Sequence, residues 1–139
     1  MDERFDLNGK VILVTGGSRG LGAEMVRDFA RQGADVIISS RNIEKCEEIA
    51  HEVNQMGRKA LPVACDVSKL HEIDSLFKRA LDEFGKLDVA VNNAGANVTK
   101  PAVDVTEKDW DFFFYVNIKG LFFCCQPSGK IMIQQNIGK

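Results

Sequence analysis

Nothing in this 139-residue sequence approaches the ~20 consecutive apolar residues that a membrane-spanning helix needs. Residues Met1 to Lys10 are charged, with no apolar run before Val11. Neither a membrane span nor a signal peptide is therefore expected. There is no block of basic residues: 18 lysines and arginines stand against 20 acids, a net charge of −2. That balance excludes recognition of nucleic acid or of a membrane surface by charge. The four cysteines, Cys46, Cys65, Cys124 and Cys125, contain no C-x-x-C pair, and a vicinal Cys124-Cys125 is a poor basis for a disulfide framework. Reduced thiols and a cytoplasmic location are expected. The only histidines, His51 and His71, have no companion ligands in the pattern, so no metal is expected. No repeat, low-complexity tract or proline-rich linker divides the chain, and its length cannot hold two full domains.

What is present is a regular alternation of short apolar runs with helical patterns. Val11 to Val14 is β-branched, closed by glycines, and reads as a strand buried on both faces. Leu21, Met25, Phe29 and Ala30 then fall at helical spacing before Gly33. Val36 to Ile38 forms a second strand, and Asn42 is placed to cap a helix carrying Ile43, Cys46, Ile49, Ala50, Val53 and Met56 up to Gly57. Lys59 to Cys65 gives a third strand; Ser68 is expected to cap the next helix, which ends at Gly85, and Leu87 to Val91 gives a fourth strand. This β-α-β-α-β-α-β order predicts an α/β fold with a doubly wound parallel sheet. Thr106 and Asp109 then make a capping box for a helix from Glu107 to Gln126 that is apolar nearly all round, and Pro127 is expected to kink or end it.

Thr15-Gly16-Gly17-Ser18-Arg19-Gly20-Leu21-Gly22 sits between the first strand and the first helix. Backbone N–H groups and the helix dipole at such a junction suit a pyrophosphate, and the glycines let the backbone approach it. This T-G-x-x-x-G-x-G pattern is joined by Asp66-Val67 after the third strand, Asn92-Asn93-Ala94-Gly95 after the fourth, and Val116-Asn117 on the following helix. Taken together, these motifs resemble the short-chain dehydrogenase/reductase family. The resemblance implies a Rossmann-type fold, a nicotinamide cofactor and hydride exchange between a ketone and a secondary alcohol. It implies that Gly16, Ser18, Arg19, Gly20, Leu21 and Gly22 hold the pyrophosphate, that Asp66 and Val67 flank the adenine, and that Asn92, Asn93, Ala94 and Gly95 lie beside the cofactor. Asn117 resembles the family's active-site asparagine, which anchors a water in a proton relay.

Enzymes of this general fold that prefer NAD place an acid near the end of the second strand, for the ribose 2′-OH. The segment here reads Ile38-Ser39-Ser40-Arg41-Asn42, with no acid. Arg41 and Arg19 could instead face a 2′-phosphate beside Ser40, so NADP(H) is the expected cofactor. A buried Asn117 on an apolar face also needs a partner, because an unsatisfied amide costs roughly 1–3 kcal/mol; a site network or nearby backbone would each serve. Tyr115 and Lys119 have the Tyr-x-x-x-Lys spacing of the family's proton donor but sit on the asparagine helix rather than downstream. At ~100° per residue, Tyr115 points about 160° from Asn117, so the pair is read as packing.

By the resemblance, the family's later strands, serine, Tyr-x-x-x-Lys and substrate loop have no counterpart. The chain reads as one incomplete dinucleotide-binding domain, residues 1–139, truncated after about four strands. Two functions stay open: an NADP(H)-dependent oxidoreductase acting on a small carbonyl or alcohol, with catalytic residues missing or supplied elsewhere, and a nucleotide-binding or interaction module without turnover. A homo-oligomer is expected from the apolar helix.

Overall fold

A computed structural model describes residues 5–139. Four parallel strands, β1 (Val11–Thr15), β2 (Asp35–Ser40), β3 (Ala60–Ala64) and β4 (Val89–Asn92), lie in the order β3-β2-β1-β4. Helices α1 (Gly20–Arg31), α2 (Ile43–Gln55) and α3 (Leu70–Phe84) connect them in sequence. The period-2 alternation of a continuous apolar run explains the layering. On one face, Ile12, Val14, Val36 and Ile38 pack under α1 and α2 with Val26, Ile49 and Val53. On the other, Val11, Leu13, Ile37 and Val63 pack against Ile73, Leu76 and Phe77 of α3 and against Cys124 and Ile131 further on.

The chain builds outward from β1 to β3 and then returns past β1 to place β4 on its other side. The loops after β1 and β4 therefore part in opposite directions, which opens a crevice at the carboxyl ends of the strands. On the outer edge of β4, the Lys139 N–H donates to the Asp88 carbonyl at 3.0 Å and its carbonyl accepts from Ala90 N–H at 2.9 Å.

Three local expectations need correction. Ser68 does not cap α3: its N–H and hydroxyl both turn back to the Asp66 carboxylate, at 3.0 and 2.7 Å, and Lys69 occupies the N-cap without a side-chain bond. The helix from Glu107 is not one uninterrupted α-helix. It comprises α4 (Glu107–Phe114), a π-helical turn (Tyr115–Gly120) and α5 (Leu121–Gln135). In the widened turn the Asn117 side-chain amide donates to the Phe113 carbonyl at 3.0 Å, a group that the regular i→i−4 ladder would otherwise occupy. Nor does Pro127 end the helix; α5 runs through it to Gln135. An interior proline costs about 3 kcal/mol. Burial of Cys124 and Ile131 offsets it, as does Gln135, whose side chain holds both the N–H and the carbonyl of Leu87 at 3.0 and 2.9 Å. The Thr106–Asp109 capping box is present, and the Lys100 ammonium, followed by the Thr106 N–H and hydroxyl, holds the Asp109 carboxyl down at about 2. Asn42 caps α2 by accepting from Lys45 N–H at 3.0 Å.

Candidate functional site

A cleft of about 760 Å³ lies over the carboxyl ends of the strands, in the size range of small-molecule sites. Its floor is set by the loops after β1 and β4. The Asn93 amide donates to the carbonyls of Thr15 and Gly16 at 3.0 and 3.2 Å, and the Thr15 hydroxyl accepts from Ala94 N–H at 3.0 Å. These bonds tie the two diverging loops together under the crevice. Gly22 is buried in the tie: a Cβ there would meet the Gly16 carbonyl oxygen and stand 2.6 Å from the Asn93 amide nitrogen. Gly20, at φ +53°, differs, since a Cβ there would meet nothing and the space belongs to the cleft.

The amino terminus of α1 opens into this space. Arg19 is its N-cap but makes no side-chain capping bond, and the first turn carries no acid. Orphan N–H groups and the positive end of the helix dipole are thus left for an external anion. On the β2 side the cleft is lined by Ser40, Arg41, Asn42, Glu44 and Lys45. Among the described residues, Arg19, Arg41 and Lys45 form no ion pair, so three cations face the cleft against Glu44 and Asp66.

On the β3 side lie Cys65, Asp66 and Val67. Burial alone would raise the Asp66 carboxyl, but the Ser68 hydroxyl and N–H, with Lys69 and Arg41 nearby, hold it below the usual carboxylate range. It is therefore an ionised acceptor at neutral pH, and only its Oδ1 is engaged by Ser68. Burial pushes the Cys65 thiol up to about 12. The π-helical turn crosses close above this loop: a Cβ on Gly120 would lie 2.6 Å from the Val67 carbonyl oxygen.

The structure brings together at the cleft Gly16, Ser18, Arg19, Gly20, Leu21 and Gly22, then Ser40 and Arg41, then Asp66 and Val67, and finally Asn93, Ala94 and Gly95. It does not bring Asn92 there. As the last residue of β4, paired with Thr15, Asn92 turns its side chain toward α5, where its amide meets the Cys125 sulfur at 3.4 Å. Asn117 is also outside the lining. Its Oδ1 accepts from Ala96 N–H at 3.0 Å and its Nδ2 donates to the Ala96 carbonyl at 2.7 Å, so it clamps a peptide that does line the cleft. Its partners are backbone groups, and because Ala96 lines the cleft the backbone partner sits in the site, where the two alternatives coincide. Tyr115 is half exposed and packs with Lys119, whose Nζ lies 5.0 Å from the ring centroid; neither residue reaches the cleft.

Asn42, Glu44, Lys45, Cys65, Ala96 and Phe112 also line the cleft without belonging to any of the motifs, and Val116 of the Val116-Asn117 motif lines it in place of its neighbour. The spacing of Phe112 and Val116 at i and i+4 was available as a signal, but it pointed only to an apolar stripe. Among the described residues no cluster of three His, Cys, Asp or Glu side chains is assembled to hold a metal, and no helix is long and apolar enough to cross a membrane.

Comparison with known proteins gives this geometry a setting. The family model of the short chain dehydrogenase matches residues 10–139. A hydroxynaphthalene reductase-like protein of Metarhizium robertsii is 40% identical across 94% of this chain and 52% of its own length. A 2-dehydro-3-deoxy-D-gluconate 5-dehydrogenase of Escherichia coli is 40% identical across 96% of this chain and 52% of its own. Among solved structures, a protein assigned as a short-chain alcohol dehydrogenase from Sinorhizobium meliloti superposes with a TM-score of 0.92 at 40% identity, over 96% of this chain and 53% of that one. A short-chain type dehydrogenase/reductase from Mycobacterium marinum gives the same TM-score at 31% identity. The chain spans about half the length of the curated relatives it matches.

Proposed function

We propose that this chain, which belongs to the short-chain dehydrogenase family, holds NADP(H) for an oxidoreductase that interconverts a small ketone and a secondary alcohol. The observation that carries the reading is the coincidence on one cleft of an uncapped α1 terminus with three cations, Arg19, Arg41 and Lys45, that form no ion pair among the described residues. That set suits a ligand with a pyrophosphate and an additional phosphate. The nicotinamide of such a ligand would supply or accept the hydride. The named functions of the relatives, one a reductase and one a dehydrogenase, are both oxidation–reduction chemistry.

This chain's own residues bind and orient. The Gly16–Gly22 turn presents backbone N–H groups to the pyrophosphate, and Arg41, Arg19 and Ser40 receive the 2′-phosphate. The second oxygen of Asp66 accepts from the exocyclic amine of the adenine, with Val67 against the base. Asn93 fixes the turn from below and Asn117 fixes Ala96, which sets the wall formed by residues 94–96; in a complete site Asn117 would also steady the water of the proton relay.

Calorimetry with the two dinucleotides tests the reading. NADPH is expected to bind about ten- to a hundredfold tighter than NADH, as one charge-assisted bond to a phosphate is worth roughly 1.5–3 kcal/mol. Arg41→Ala should remove about tenfold of that preference while leaving NADH affinity nearly unchanged. NADH binding as tightly as NADPH would contradict it.

A homo-oligomer is part of the proposal. Trp110 of α4, Ile118 of the π-helical turn and Phe122 of α5 stand 59%, 55% and 59% exposed, apolar surface that invites association. Light scattering on the purified chain should show dimers or larger species, and Phe122→Glu should shift them toward monomer. A monomer that binds no hydrophobic dye would rule this out.

A further inference from the structure

The cleft has two kinds of lining. Arg19, Ser40, Arg41 and Lys45 are polar lining, whereas Val67, Val116 and Ala96 pack in one apolar cluster at the lining and Phe112 joins them one helical turn before Val116. Val116 is buried in the core, and Phe112 is 38% exposed and faces the cleft above it. The neighbouring rings of α4 are engaged with one another: Trp110 stacks on Phe114 at 4.6 Å and Phe113 meets Phe114 edge-on at 5.7 Å. Phe112 makes no ring pair among the described residues. An aromatic face left without a partner at the rim of an apolar subsite is matched by a planar, π-faced group, and such stacking tolerates any base but needs a ring on the protein side.

We propose that Phe112 is the stacking wall for the purine base of the bound nucleotide, and so contributes affinity that the phosphate contacts cannot. This rests on the dinucleotide reading above. The base lies against the Phe112 ring on one side while Val67 bounds the subsite on the other, so the aromatic ring sets how firmly the adenine half is held and the cationic residues set the preference for the 2′-phosphate. The two contributions act on different atoms and are separable.

The test is calorimetry of the full chain with 5′-ADP and with 2′,5′-ADP, neither of which carries nicotinamide. Phe112→Leu keeps apolar volume and removes the ring, and its melting temperature provides the control for folding. It should weaken both ligands by the same factor, about five- to twentyfold, the lower part of what a base–aromatic stack contributes. The ratio between the two ligands should stay at the wild-type value, in contrast to Arg41→Ala, which should change the ratio. Phe112→Trp should restore the affinity, and its indole emission should fall on addition of either ligand. Wild-type affinity in Phe112→Leu, or equal loss in Phe112→Leu and Phe112→Trp, would overturn the stacking role alone. Failure of the wild-type chain to bind either nucleotide would overturn the dinucleotide reading together with it.

Discussion

Purified on its own, the chain is expected to oxidise no NADPH above background with ketones, aldehydes or oxo acids, even where the cofactor binds. Reduction of a carbonyl needs a proton donor within hydrogen-bond reach of its oxygen, and losing that assistance typically costs ~10²–10⁴-fold. The candidates on this chain are poorly matched. Tyr115 and Lys119 lie outside the cleft and pack on each other. The Asn117 amide has no useful acidity and is committed to Ala96 and Phe113. Cys65 does line the cleft, but it is 3% exposed and burial lifts its thiol to about 12. Following NADPH absorbance with a substrate panel checks this. Robust turnover abolished by Tyr115→Phe would contradict the geometry, because it would require Tyr115 to act at a cleft it does not line.

Gly22→Ala should have the largest effect on binding of any single methyl added to the chain. The new Cβ would run into the Gly16 carbonyl oxygen and stand 2.6 Å from the Asn93 amide nitrogen, so the turn must open or the tie to the β4 loop must break. Overpacking of this kind costs about 1–3 kcal/mol of stability. Misplacing the backbone N–H groups of the turn adds a loss of two or more charge-assisted bonds, which puts the expected fall in NADPH affinity at about 10²-fold or beyond. Gly129→Ala is the matched control: it also adds one methyl to a helical glycine, yet its Cβ would meet nothing within 4 Å. Calorimetry and thermal melting on both variants should therefore separate cleanly. An equal affinity in Gly22→Ala and Gly129→Ala would show that the turn does not hold the ligand.

The sheet was legible in the residues because its signals are local. Val11 to Val14 alternates between two cores, and that pattern alone demands a strand covered on both faces. Asn42 and the Thr106–Asp109 box carry their capping bonds within three residues, so the sequence shows donor and acceptor together. Features decided by distant partners were not readable. Ser68 is the local exception: it is chemically able to cap α3, but the Asp66 carboxylate two residues before it takes both its N–H and its hydroxyl. Pro127 disfavours a helix locally, yet Gln135 binding Leu87 and the burial of Ile131 hold the helix together across it. The π-helical turn depends on Asn117 reaching the backbone of Ala96, 21 residues earlier in the chain. At the cleft, the glycine turn and the Asp66-Val67 and Asn93-Ala94-Gly95 loops announced themselves by motif, whereas Lys45 and Phe112 arrive on helices whose facing follows only from packing. Asn92 belongs to the same motif as Asn93 but to the opposite fate, since successive strand side chains point to opposite sides.

The central claim is that the cleft over the carboxyl ends of the strands holds the dinucleotide. Amide chemical-shift mapping during an NADPH titration of the chain tests it most directly. Saturable shifts are predicted at Gly16 to Gly22, at Ser40 to Lys45, at Asp66 and Val67, and at Ala94 to Ala96, with α3 and the second half of α5 unmoved. Saturable shifts centred instead between Leu70, Phe123 and Pro127, or no saturable shift at millimolar NADPH, would contradict it.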